Sequence, residues 1–355
     1  MHMADALISP AVGGTMWAAT AGLTVYSARK LKQEIDDRKV PLMGVLGAFV
    51  FSAQMINFTI PATGSSGHLG GGMILAILLG PHAAFLVIAS ILTVQALFFA
   101  DGGLLALGCN IFNLGFFPCF VAYPLIYKPI AGEKPAEGRI FAAALASAVL
   151  GLQMGAFGVV LQTVFSGLTA LPFGTFVLLM QPIHFAIGIV EGVVTALVVI
   201  FVRKARPEIV EMAGPSRAVP AGSLRGVLAG LLALAVIIGG ALSWFASAYP
   251  DGLEWATFRT SGKEELETPG SAVHALLAQL QQKMAFLPDY GFKVEEVQEA
   301  SREGSKPEAA EPAPEERWPA VSAGTSVAGV VGSGITLAVA GLIGFGLKGR
   351  RHSRM

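Results

Sequence analysis

The first two residues, Met1 and His2, carry the most specific chemistry in the chain. A free terminal amine, the amide nitrogen of residue 2 and the His2 imidazole can close adjacent chelate rings around one metal ion. Three nitrogens then lie in a plane with one position left open. That geometry suits Ni(II) or Cu(II), for both of which imidazole is a good ligand. His68 follows the run PATGSSG and precedes Leu69-Gly70-Gly71, where glycine lets the backbone approach another segment closely. It can supply the fourth nitrogen. The plain alternative is a frayed terminal His2 and a loop His68 bonded to backbone. His184 and Glu191, in QPIHFAIGIVEG, lie two turns apart on one helix face. An ionisable pair inside a span marks a functional site; as a bland alternative it is a hydrogen-bonded strut. Asp5, Asn57, Ser66, His184 and Glu191 are the candidates to support the ligands from behind. Asp5 and Asp101 also read as helix caps.

These groups need elements to hold them, and the composition says which. Of 355 residues, 54% are hydrophobic and 14% charged, with a mean hydropathy of +0.64. Soluble domains carry about 25% charged residues, so a multi-span membrane protein is implied. The zero net charge offers no case for a nucleic-acid partner. Cys109 and Cys119 both sit in an apolar stretch, which excludes a disulfide framework and reads as two small buried residues. Lys and Arg cluster at 29–39, 128–139, 203–225 and 348–354, while 1–28, 40–127, 140–202 and 226–258 hold none. A cation at mid-membrane costs roughly 3 kcal/mol or more, so such gaps are what a bilayer demands.

The gaps divide into apolar spans near 6–28, 40–58, 82–100, 104–127, 140–166, 178–202, 226–246 and 324–347. If basic clusters mark the cytoplasmic side, an even number of crossings must separate them. Between the first two clusters only three clear spans occur. The missing crossing falls on GGGMILAILLG at 70–80, too short to span alone, preceded by an irregular loop at Pro61 to Gly67 that dips into the membrane. Irregular backbone at that depth is tolerated where it lines a site.

The same parity places residues 1–5 outside. No basic n-region precedes the first span, so the start reads as the mature one. Residues 247–322 are also external, with 14 Asp/Glu against 7 Lys/Arg, and end in a flexible Pro/Glu/Ala-rich run. Within them SAVHALLAQLQQKMAFLPDY fits one amphipathic helix. The segment could feed ions, gate the site, hold a partner or be a solvated acidic face. The chain divides into 1–205, a linker at 206–224, and 225–355. The expected fold is thus an all-α polytopic membrane protein: a seven-span substrate-capture bundle, then a two-span module with an acidic extracytoplasmic segment. Gly226-x-x-x-Gly230 and Gly329 to Gly334 permit close helix contact. Gln54, Asn57, Asn110, Asn113, Gln153 and Gln162 should face the interior. His82 reads as a helix-start residue, and His274 and His352 as solvated.

The opening MHMADALISP, the loop TGSSGHLGGG and the segment PIHFAIGIVEG resemble the M component of nickel/cobalt energy-coupling-factor transporters, the CbiM/NikM family. YPDGLEWA at 249–256 resembles the N component with its PDGLE motif. The likeness covers essentially the whole chain as a fused M–N polypeptide. It implies a metal held by the Met1 amine, the His2 amide and imidazole, and His68. It also implies a transmembrane coupling (Q-type) subunit, cytoplasmic ATP-binding (O-type) subunits and a multi-pass place in the bacterial inner membrane. The N-terminus would be extracytoplasmic and the C-terminus cytoplasmic. No resident cofactor is expected: the bound ion, Ni(II) or Co(II), is cargo. GFGLKGR at 344–350 lacks the spacing of a phosphate-binding loop, so ATP hydrolysis falls to the partners. Planar nitrogen coordination favours nickel over cobalt.

Two other classes are open. Gly64-Ser65-Ser66-Gly67 resembles the G-x-S-G of rhomboid-like intramembrane serine proteases, with Ser66 as nucleophile and His184 as base. That reading leaves the terminal Met-His without a role. A passive metal channel would work without ATPase partners.

Overall fold

A computed structural model describes residues 2–169, 171–206, 209, 224–263, 266, 268, 270–293 and 318–348. Met1, most of the 206–224 linker, the Pro/Glu/Ala-rich run and the basic tail with His352 lie outside them. The chain is mostly helical. Helix α1 (Pro10–Glu34) starts where Ser9 accepts the Val12 N–H and Pro10 takes the first helical position, needing no amide partner. It is followed by α2 (Lys39–Gln54), a hairpin of β1 (Phe58–Ile60) and β2 (Ser65–Gly67), α3 (Gly72–Leu79) and α4 (Pro81–Phe98). Next come α5 (Leu107–Ala131), α6 (Glu137–Ser166) and α7 (Phe173–Ala205). The remainder contributes α8 (Arg225–Gly240), the shorter α9 (Gly252–Ser261) and α10 (Ala272–Met284), and α11 (Ala323–Lys348).

Among the described residues five helices, α4, α5, α6, α7 and α11, are long and apolar enough to cross a membrane. The expected spans at 40–58 and 226–246 are α2 and α8, apolar but 16 residues each. At about 1.5 Å per residue they fall short of a bilayer core of about 30 Å. Within α5, Phe112–Tyr127 winds as a wider π-helix that includes Pro118 and Pro124. Proline has no N–H to give to regular α-helical pairing.

Two expectations change here. The loop at Pro61 to Gly67 is not irregular: β1 and β2 pair antiparallel, Phe58 with Gly67 and Ile60 with Ser65. The pairing satisfies part of the hairpin's backbone, as buried backbone requires, and the chain is therefore not purely helical. Of the two glycine stretches expected to let helices touch, only the second does so. Gly226 and Gly230 have open space around them, whereas a methyl group on Gly329 would lie 2.2 Å from the Gly239 carbonyl. That contact joins α11 to α8. Gly332 in turn receives the Phe51 ring, and Ser333 hydrogen-bonds Ser52 at 2.6 Å, fastening α11 onto α2. At the opposite end from residue 2, Lys348 pairs with Asp37, and Lys204 lies 3.0 Å from Glu137.

Candidate metal centre

The N-terminal strap is threaded into the bundle by its backbone. Met3 is fully buried. Its N–H donates to Asn110 Oδ1 at 2.8 Å, and its carbonyl accepts from Asn110 Nδ2 at 3.2 Å and from the Gly103 N–H at 2.9 Å. Asn110, on α5, thus reads the strap as a neighbouring strand would. Two residues on, Asp5 Oδ1 accepts the Ala106 N–H at 2.9 Å. This tie belongs to the turn before α5, so Asp5 does not cap the first helix as expected; Ser9 does. Nor does its carboxylate meet an imidazole: His274 Nε2 lies 3.2 Å from the Asp5 backbone carbonyl.

The hairpin delivers His68 to the same place. Beyond it, the Glu191 carboxyl accepts the Gly70 N–H at 2.8 Å and the Gly71 N–H at 3.2 Å, placing its oxygens at the N-terminus of α3. Gln54 Nε2 donates to the Gly70 carbonyl at 2.8 Å. Gly71 needs its glycine: φ is +76°, and a Cβ would strike Val50 at 2.3 Å. Glu191 is therefore the strut that fixes the His68 turn.

His2 and His68 meet face to face, with ring centroids 5.0 Å and planes 5° apart. With metal–nitrogen bonds of about 2 Å, two imidazoles sharing one ion hold their centroids roughly 4.5–6.5 Å apart, so the spacing is right for a shared ion, but parallel stacked rings cannot both aim an in-plane nitrogen at it, and one ring must turn to bind. His68 Nδ1 faces the Leu69 carbonyl at 3.1 Å, and His2 Nδ1 faces Asp101 Oδ1 at 3.0 Å. Both acceptors lack a proton, so each ring carries its hydrogen on Nδ1. Among the described residues, Nε2 is left buried and without a hydrogen-bond partner in both rings. Closing a chelate with the His2 amide nitrogen needs Nδ1, so Asp101 must yield that nitrogen to the ion. Asp101 was expected to cap a helix; it instead joins His2 to Tyr290, whose hydroxyl donates to Oδ2 at 2.5 Å. Burial opposes its ionisation, but the His2 imidazole and the Tyr290 hydroxyl outweigh that and hold its carboxyl at about 2.

His184 and Glu191 are both buried on α7, as expected. The His184 Nδ1 bonds the Met180 carbonyl at 2.8 Å, and its Nε2 has no partner among the described residues. It lines a cavity of about 10 Å³ with His68, Asp251 and Gly252, room for roughly one water. Ser66 is fully buried, its Oγ donating to the Tyr249 carbonyl at 2.7 Å. With His184 Nε2 unpartnered and Nδ1 on Met180, no serine–histidine pair forms. Asn57 turns its backbone carbonyl to the Ser247 N–H at 2.7 Å. Among the described residues no three His, Cys, Asp or Glu side chains converge in metal-ligating geometry. Met1 lies outside them.

Residues after 240 close over this end. The Ser66 N–H donates to the Pro250 carbonyl at 2.8 Å, and Trp255 Nε1 to the Thr63 carbonyl at 3.0 Å. Asp251 and Glu254 form a reciprocal capping box that starts α9 beside the hairpin. The amphipathic helix α10 is present, but His274 is buried rather than solvated: its Nε2 lies 3.0 Å from the Ile8 carbonyl. Gln281 Nε2 donates to the Ala96 and Gly102 carbonyls. Between these parts lies a cavity of about 1200 Å³, with His2, His68, Asp101, Asp251, Glu254 and Asp289 among its lining and neither Lys nor Arg among the described residues there. The D-x-x-E spacing of the capping box was visible in the sequence. The roles of Asn110, Asp101 and Tyr290 were not, since each depends on a contact about a hundred residues away or more.

Comparison with known proteins gives matches to two stretches of the chain. Residues 2–209 match the family model described as the cobalt uptake substrate-specific transmembrane region, and 225–349 match the PDGLE domain. The chain is 34% identical over 254 residues to the "Fused nickel transport protein NikMN" of Rhodobacter capsulatus, covering 67% of this chain and 71% of that one. It is 32% identical over 241 residues to the "Putative fused nickel transport protein NikMN" of Archaeoglobus fulgidus, covering 66% and 75%. A crystal structure of a truncated transition metal transporter matches with a TM-score of 0.52 and 31% identity, over 58% of this chain and 99% of that chain.

Proposed function

The chain belongs to the cobalt-uptake substrate-specific transmembrane family, with a PDGLE domain joined behind it, and on that premise we propose that it captures a divalent metal ion for import. The ion is Ni(II), with Co(II) the second choice, bound by the Met1 amine, the His2 amide and imidazole, and the His68 imidazole. The observation that carries this reading is the meeting of His2 and His68, 66 positions apart in the sequence, with the His68 Nε2 buried and, among the described residues, unsatisfied. Buried polar atoms ordinarily have partners, and a ligand is the partner this one lacks. Amine and amide nitrogen must lose protons to bind, so capture weakens as pH falls. Nickel suits planar nitrogen coordination better than cobalt does.

The site opens on the extracytoplasmic side of the bacterial inner membrane. The helix ends bearing Lys39, Lys128, Arg139, Lys204, Arg225 and Lys348 lie on the cytoplasmic side, in keeping with the bias of basic residues. A transmembrane coupling subunit and ATP-binding subunits drive transport, as in energy-coupling-factor importers; the chain itself is no enzyme. An N-terminal tag should abolish nickel accumulation in cells carrying the complete transporter, while a C-terminal tag is tolerated. Equal uptake by the two would refute the site, and uptake persisting without ATPase partners would favour a passive channel.

A further inference from the structure

The function proposed above assigns no role to the turn after α10, yet that turn reaches the His2 imidazole through a single carboxylate. Tyr290 is presented with unusual rigidity. Asp289 and Tyr290 both sit in the left-handed region, with φ of +50° and +58°, a conformation that side-chain-bearing residues adopt at a cost. The Leu287 N–H donates to the Phe98 carbonyl at 3.3 Å and the Asp289 N–H to the Phe99 carbonyl at 2.9 Å. The phenol ring stacks on Phe99, centroids 5.0 Å and planes 16° apart. These contacts bring the hydroxyl to Asp101 Oδ2 at 2.5 Å, while Oδ1 of the same carboxylate accepts from His2 Nδ1 at 3.0 Å.

We propose that Tyr290 is a positioning residue that sets, through Asp101, how readily the His2 imidazole is released to the metal ion. Hydrogen bonds to an ionised acceptor are strong. Two donors on one carboxylate share its charge, so each is held less tightly than it would be alone. Without the Tyr290 hydroxyl, Asp101 spends its whole charge on His2 Nδ1 and competes harder with the ion for that nitrogen. Docking of the turn at 287–291 thereby eases capture, and its withdrawal disfavours it. By linkage, an ion that takes His2 from Asp101 strengthens the hold of Asp101 on Tyr290.

This inference rests on the capture reading, and two readouts on the full chain separate them. The first is nickel affinity by equilibrium dialysis of the purified protein with its native N-terminus. Tyr290→Phe keeps the stacked ring and removes only the hydroxyl. It should weaken nickel binding roughly tenfold, the effect of a charge-assisted hydrogen bond from His2 Nδ1 strengthened by about 1.4 kcal/mol. In an Asp101→Asn background the same change should have less than a twofold effect. Unchanged affinity in Tyr290→Phe, or an equal loss with and without Asp101, would overturn the proposal, because a purely structural tyrosine acts regardless of Asp101. The second readout is the His2 imidazole Nδ1–H resonance of the metal-free chain, labelled at histidine. It should move further downfield in Tyr290→Phe while His68 stays put, and an unmoved His2 signal would overturn the proposal. Wild-type protein that binds no nickel would refute the capture reading alone, since the resonance still decides the role of Tyr290.

Discussion

Replacing Asn110 with leucine tests whether the strap holds the capture residues in place. The change keeps the branching at Cγ, with a somewhat larger side chain, and removes both bonds to the Met3 backbone, 2.8 and 3.2 Å in length. Each is a neutral bond worth about 1 kcal/mol net, and the Met3 N–H, fully buried, is left unsatisfied at a further cost of about 1–3 kcal/mol. The Met3 carbonyl keeps its bond from Gly103. Together the strap loses about 3–5 kcal/mol of docking energy. If the ion must now supply that energy, nickel affinity falls roughly 100- to 4000-fold, at about 1.4 kcal/mol per factor of ten. The assay is equilibrium dialysis with nickel on the purified full chain, beside a thermal melt. Gln153→Leu is the control: it breaks a 2.8 Å bond between α6 and α7 that involves neither residue 2 nor residue 68. It should lower stability and leave affinity alone. Wild-type affinity in a folded Asn110→Leu protein would refute the claim that the strap positions His2.

Three further perturbations give separate expectations. Glu191→Gln leaves one oxygen for two N–H donors and should cost about 1.5–3 kcal/mol of hold on the His68 turn, weakening nickel binding at least tenfold by the same dialysis; wild-type binding would mean the turn holds itself. Gly252→Ala puts a methyl group 2.5 Å from Ile183 Cγ2, an overpacking of about 1–3 kcal/mol. It should lift α9 and speed hydrogen exchange at the Ser66 amide, which now bonds Pro250; unchanged exchange would show that α9 tolerates the clash. Ser66→Ala removes one hydroxyl bond of about 1 kcal/mol but keeps the backbone one, so nickel affinity should stay within about threefold, whereas a nucleophilic serine requires complete loss of activity.

How much of this was legible in the sequence follows from which interactions are local. Hydropathy and the basic clusters gave the long apolar helices because a bilayer penalises each charge independently of its neighbours. His68 stood out because the crossings did not balance without a segment at 70–80, and α3 is indeed a short buried helix there. Glu191 was placed on the right face of its helix, though not against the Gly70 and Gly71 amides. The hairpin was missed since Thr-Gly-Ser-Ser-Gly reads as loop by composition; its pairing, and its bond to Pro250, are tertiary. His274 was misread for a similar reason: an exposed-looking helix docks its single histidine on the Ile8 carbonyl, 266 residues earlier. Asp101 illustrates the general difficulty, because a turn aspartate gives no local sign that an imidazole and a phenol from distant segments will share it.

The central claim is that the chain's own N-terminus and His68 grip one ion. Metal analysis of the purified full-length protein, expressed with an untagged and unblocked N-terminus and dialysed against nickel, tests it most directly. One nickel per chain, lost on His68→Ala and on acetylation of the terminal amine, is the expected result. Nickel retained at one per chain in both altered proteins would contradict it.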